Sequence, residues 1–153
     1  MEKKFVPRPG QIDYTHIRWC PVINCVVEYN GKILIVKRSK DMRLYPEYWN
    51  GISGFLDDEK SLEEKIYEEL GEELGLMKEA ITSWKLGEIF HGHDDEHRKT
   101  WIVHPILVGV NTDQVRLDWE AEEFAWVTPE EALEKYKLLP SFDRVLKVLF
   151  SII

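Results

Sequence analysis

Between Ser61 and Gly75 the chain carries the pattern that most restricts its fold. Leu62, Ile66, Leu70 and Leu74 recur with charged residues between them, which is the spacing of an apolar stripe on a helix. Ser61-Leu62-Glu63-Glu64 fits a capping box that starts the helix, and Gly75 is placed to stop it. A half-buried helix of this kind needs a sheet to pack on, and the flanking segments supply one. Pro21 to Tyr29 is rich in Val and Ile, Asn30-Gly31 signals a two-residue hairpin, and Lys32 to Lys37 resumes the apolar run. Ser39 to Trp49 reads as a polar loop, followed by a short strand from Asn50 to Phe55. Two more strands are expected at Ser83 to His91 and Thr100 to Val110, with a polar hairpin tip between them, and another at Glu123 to Val127. Thr128 and Pro129 then start a short helix, and Ser141 to Phe150 closes the chain as an amphipathic helix. This order predicts an α+β domain with helices on both sides of a mixed sheet.

The helical segment from Ser61 to Leu74 also carries Glu68, Glu69, Glu72 and Glu73. At about 100° per residue, Glu69, Glu72 and Glu73 share an arc of roughly 100°, and Glu73 falls between Leu62 and Ile66 on the wheel. These acids border the apolar stripe instead of opposing it. The like-charge pairs 64/68, 68/72, 69/72 and 69/73 each cost about 0.2–0.5 kcal/mol in an isolated helix. Gly71 within the helix costs about 1 kcal/mol more relative to Ala. A helix that accepts these costs beside its core stripe is expected to bind cations. An all-oxygen ligand set suits Mg²⁺ or Mn²⁺, and two such ions can clamp the attacking and leaving oxygens of a phosphoryl displacement.

Bulk properties narrow the partners. With 153 residues and 44% apolar content, the chain has the size of one domain, read as a single domain at 20–153 preceded by an irregular N-terminal arm at 1–19. An arm of this kind often packs on a partner subunit, so a homodimer is an expectation. The net charge of −8 argues against binding a nucleic acid polymer, whereas a small anion can be bound through metal ions. No apolar run reaches membrane-spanning length, and Met1-Glu2-Lys3-Lys4 lacks the hydrophobic stretch of a signal peptide. A cytoplasmic location is expected. Cys20 and Cys25 have odd spacing on one strand, so they face opposite ways and read as buried core thiols.

The segment from Gly54 to Leu76 resembles the Nudix box, G-x5-E-x7-R-E-U-x-E-E-x-G-U, with Gly54, Glu69, Leu70, Glu72, Glu73, Gly75 and Leu76 in register. Pro46-Glu-Tyr-Trp49 is similar to the family's P-G-x-W segment, and Trp126-Val-Thr-Pro129-Glu-Glu131 to its W-x-x-P-E-E helix start. The resemblance covers roughly residues 20–150. It implies a Nudix-like α/β/α sandwich and a metal-dependent hydrolase that cleaves a diphosphate linkage in a nucleoside-diphosphate-linked or related small substrate. It further implies that Glu69 and Glu73 are metal ligands and that Glu72 is a third ligand or the group that takes a proton from water. The Gly54 carbonyl is a further ligand by the same resemblance. Another acid is expected from the loop before Trp126, with Glu120 and Glu122 favoured. Arg38 matches a position that meets substrate phosphate, and Trp49 offers a surface for stacking a base.

Two positions depart from the pattern. Lys60 stands where the family has Glu, and Glu68 where it has Arg, so an ion pair with reversed polarity is expected. The departures leave a ligand-binding or sensor protein with weakened catalysis as an alternative. An isopentenyl-diphosphate isomerase relative is disfavoured, because Asn50-Gly-Ile-Ser-Gly54 lacks the cysteine that chemistry needs. The His- and acid-rich segment 91–97 reads as a hairpin tip in preference to a transition-metal site.

Overall fold

The computed structural model describes residues 15–152. Eight strands make one sheet: β1 (Trp19–Tyr29), β2 (Lys32–Arg38), β3 (Trp49–Asn50), β4 (Ile52–Phe55), β5 (Ile81–Leu86), β6 (Phe90–Asp94), β7 (Lys99–Val110) and β8 (Ala121–Val127). Three helices flank it: α1 (Leu62–Leu74), α2 (Pro129–Lys135) and α3 (Phe142–Phe150). β1 and β7 are the long parallel spine, in register from Trp19↔Thr100 to Glu28↔Gly109. Each spine strand shares its outer edge between two short antiparallel partners. β4 borders the first half of β1 and β2 the second, while β6 and β5 divide β7 in the same way. β2 then carries β3 and β8 outward.

Both faces of β1 are buried, as expected of a central strand covered on two sides. Ile23, Cys25 and Val27 face α1, where Ile66, Leu70 and Leu74 close the first core against Ile52, Ile106 and Val108. Val22 and Val26 face the opposite way, toward Ala132 of α2 and Phe142, Val145 and Leu146 of α3. The result is an α/β/α sandwich on a mixed sheet. The hairpin after Tyr29, the capping box of Ser61 and Glu64, the left-handed cap at Gly75, and the Thr128 cap with Pro129 all stand where the sequence puts them. Cys20 and Cys25 are buried free thiols.

Several boundaries differ from the expectation: the strand expected at 50–55 is two, β3 and β4, parted at Gly51, and β8 begins at Ala121 in place of Glu123. The strand expected at 83–91 is two strands, β5 and β6, parted at Gly87. Gly87 N–H donates to the Pro105 carbonyl at 2.8 Å. Pro105 has no N–H to return toward that edge, so the ladder breaks there and restarts at Phe90. The arm expected at 1–19 ends earlier, because Arg18 O accepts from Thr100 N–H at 2.7 Å and Trp19 already belongs to β1. The arm's first fourteen residues lie outside the described part. Among the described residues, no helix is long and apolar enough to cross a membrane.

Candidate active site

α1 starts with reciprocal bonds between Ser61 and Glu64, and Gly75, in the left-handed conformation, closes it by donating to the carbonyls of Gly71 and Leu70. Its last turn holds Glu72 and Glu73 and no basic residue. Negative side chains thus sit at the negative end of the helix dipole, an arrangement that costs stability until a cation joins it.

Gly54 of β4 passes directly beneath. A Cβ on Gly54 would lie 2.5 Å from both Cδ and Oε1 of Glu69, so only a glycine lets that carboxylate rest on the strand backbone. One turn on stands Glu73, on which the charges of Glu120 and Asp118, from the segment before β8, act. Its Oε2 is fully buried, with no hydrogen-bond partner. Burial, then the charges of Glu120 and Glu69, pushes the Glu73 pKa well above the usual carboxylate range. Burial likewise raises Glu69, with Glu72 adding to it. A contact between Glu69 and Glu73 is a hydrogen bond only when one of them holds a proton. Glu120 is pushed up to about 7 by burial and then by Asp118 and Glu69, with Arg38 opposing. Burial and mutual repulsion therefore disfavour the charges of Glu69, Glu73 and Glu120 together.

Arg38 closes the side nearest β2. Its Nε and Nη2 donate to Leu44 O at 3.0 and 2.8 Å, and burial lowers its pKa while Glu73 and Glu120 raise it. The backbone joins the same parts, since Ser39 N–H donates to Glu120 O at 2.8 Å. Glu72 stands exposed at the rim, where Glu68, Glu69 and Glu72 each offer an oxygen within 4.8 Å of the others. Cys25 lies beneath, fully buried, its thiol pKa pushed well up by burial and then by Glu73 and Glu69. A thiol so held is protonated core, which gives no support to the isomerase alternative.

Not every expected residue joins this cluster. Glu122 is exposed and ion-paired with Lys37 Nζ at 3.4 Å, as is Glu123. A register shift between Lys37 and Arg38 where β2 meets β8 sends Glu122 to the lysine and leaves Glu120 with the helix acids. Trp49 packs in the second core, edge-on to Tyr136 at 4.9 Å, away from the carboxylates on the α1 face. Segment 91–97 is a hairpin tip: Asp94 accepts from Tyr45 at 2.7 Å, from Trp101 at 3.2 Å and from the His97 N–H at 3.1 Å. Among the described residues, the group of three metal-ligating side chains lies at Glu68, Glu69 and Glu72 and none at that tip.

The reversed ion pair is present, Lys60 to Glu68. Lys65, which the sequence reading overlooked, is 4% exposed and reaches Asp58 at 2.9 Å, Glu68 at 3.4 Å and Asp57 at 3.5 Å. The helical wheel holds the missing signal, because 100° steps put Lys65 between Glu69 and Glu72.

Comparison with known proteins agrees with this geometry. The model of the NUDIX domain matches residues 19–149. A nucleoside triphosphatase, NudI, of Enterobacter sp. (strain 638) is 27% identical over 118 residues, 72% of this chain and 80% of that protein. The MutT protein of Methanosarcina mazei Go1 superposes with a TM-score of 0.71 at 20% identity, over 89% of this chain and 95% of that one. A bifunctional NMN adenylyltransferase/ADP ribose pyrophosphatase from Francisella tularensis, complexed with AMP and a Mn ion, superposes with a TM-score of 0.70 at 21% identity. That match covers 86% of this chain and 41% of the Francisella chain. From the box on α1, the sandwich around it and the domain match over nearly its whole length, the chain belongs to the Nudix family of pyrophosphohydrolases.

Proposed function

We propose that the chain hydrolyses the diphosphate linkage of a small nucleoside di- or triphosphate-like substrate with Mg²⁺ or Mn²⁺. The observation that carries the reading is the buried, unpartnered Oε2 of Glu73 within reach of the charges of Glu69 and Glu120. A buried carboxylate oxygen without a donor is costly, and a divalent cation is the partner that would relieve all three acids together. The donor set fits the ion, because it is all oxygen, and Gly54 lets the Glu69 carboxylate lie against the backbone of β4.

In this reading Glu69, Glu73, Glu120 and the Gly54 carbonyl would hold the metal, which would supply charge neutralisation at phosphorus and a lowered pKa for the attacking water. Glu72, exposed at the rim, takes the proton from that water. The Arg38 guanidinium, fixed on Leu44 O through Nε and Nη2, turns its remaining N–H donors to a substrate phosphate. Glu122 serves Lys37 and Trp49 serves the second core, so neither is assigned to catalysis. The Lys60–Glu68 pair favours a working enzyme over a weakened sensor, since exchanging both partners preserves an ion pair there. Two free thiols fit a reducing, cytoplasmic setting.

A panel holding nucleoside triphosphates, ADP-ribose and dinucleoside polyphosphates, with Mg²⁺ or Mn²⁺, tests the reading through release of nucleoside monophosphate and phosphate. Turnover of at least one member is expected. Binding of panel members without any cleavage would support the sensor instead.

A further inference from the structure

Glu68, Glu69 and Glu72 can each turn an oxygen toward one common point, so by distance alone Glu68 is as good a metal ligand as its neighbours. Two ammonium groups already sit on it. Lys60 Nζ pairs with Glu68 Oε2, and Lys65 Nζ lies 3.4 Å from Glu68 Oε1. Lys65 is buried, and its head also takes Asp58 at 2.9 Å and Asp57 at 3.5 Å. Burial works against its charge, and Asp58, then Asp57, outweighs burial and raises its pKa. A charge so placed persists only because it is paired.

We propose that Lys60 and Lys65 are built-in cations that reserve Glu68, confining divalent ions to the Glu69, Glu73 and Glu120 side of α1. The proposal rests on the metal-dependent reading above. A hard divalent ion accepts almost any carboxylate oxygen, and selection among sites depends on geometry and on which ligands are free. With its lysines neutralised, the exposed set of Glu68, Glu69 and Glu72 would compete for the ion. It would draw Glu69 away from Glu73 and Glu120, whose raised charge cost then goes unrelieved. Lys65 also keeps Asp57 and Asp58, at the mouth of the same loop, from joining that outer set.

The sign of one measurement separates this role from mere scaffolding. A lysine that only supports the fold would, when removed, leave ion binding unchanged or weaker. A lysine that blocks a ligand would, when removed, open a further site. Mn²⁺ titration of the full chain, followed by the electron paramagnetic resonance of free Mn²⁺, should show binding by the parent protein. Lys60→Met and Lys65→Met should each bind an additional Mn²⁺ ion, a gain in stoichiometry that loss of a nearby positive charge would not give by itself. Adding Glu68→Gln to either variant should remove the gain. Circular dichroism checks helix content, and Lys60→Met, a change at a half-exposed side chain, decides the matter if Lys65→Met does not fold. An unchanged or smaller number of bound Mn²⁺ ions in Lys60→Met would overturn the proposal. A parent that binds no Mn²⁺ would overturn the metal-dependent reading and the proposal with it.

Discussion

Oε2 of Glu73 is buried with no hydrogen-bond partner, and its own neighbours, Glu120 and Glu69, repel its charge. Removing that charge should therefore have opposite effects on stability and on turnover. Glu73→Gln is expected to raise the melting temperature of the metal-free protein, because an amide needs less solvation than a carboxylate. It should cut turnover by about a hundredfold or more, since several kcal/mol of charge stabilisation depend on the ion it holds. Glu63→Gln is the comparison on the same helix. Glu63 faces outward and accepts from Trp84 Nε1 at 3.0 Å, so its loss should leave turnover within about twofold. Paired melting curves and steady-state rates check both, and equal losses of turnover would place the site elsewhere.

At the scale of the element, α1 combines a well-capped start with an acidic last turn, and this makes its stability depend on pH and on metal. The Glu120 carboxyl that faces it is lifted from 4.5 to about 7, chiefly by burial. The folded protein thus holds a proton that the unfolded chain has already released between those values. Stability contributed by the protonated form is lost as pH rises through that window, so the metal-free protein should melt at a higher temperature at pH 6 than at pH 8 as far as this group is concerned. Saturating Mg²⁺ or Mn²⁺ should flatten or reverse the slope, because a cation stabilises the ionised form. Melting curves across this range, with and without metal, measure it; a metal-free slope that rises with pH would contradict the assignment. The helix itself was legible in the sequence because its signals are local: Ser61, Glu64, Gly75 and the Leu62 to Leu74 stripe lie within one segment. Lys65 was legible too, had its wheel position been weighed with the acids.

At the scale of the whole molecule, the site depends on pieces far apart in the chain: Gly54 on β4, the acids of α1, Arg38 at the end of β2, and Glu120 before β8. Sequence reading reached each of these through the resemblance and the strand pattern, yet could not choose between Glu120 and Glu122. The proposed choice of Glu120 rests on the register shift between Lys37 and Arg38, a long-range feature with no local signal. Trp49 shows the same limit, since its aromatic ring shows which residue is there but not which core it packs against, here the second one. The break at Pro105 that divides β5 from β6 is visible only once both strands are seen on the same edge of β7. The topology predicts that Glu120→Gln lowers turnover strongly while Glu122→Gln, which only frees Lys37, has little effect; equal rates for the two variants would contradict the register argument.

If Glu69, Glu73 and Glu120 form a divalent cation site, hydrolysis depends on the metal. The most direct test is turnover of whichever substrate the panel identifies, measured with Mg²⁺ or Mn²⁺, then in excess EDTA, then after the metal is restored. Loss of turnover in EDTA and recovery on adding metal back is the predicted result; full turnover in excess EDTA would contradict the account.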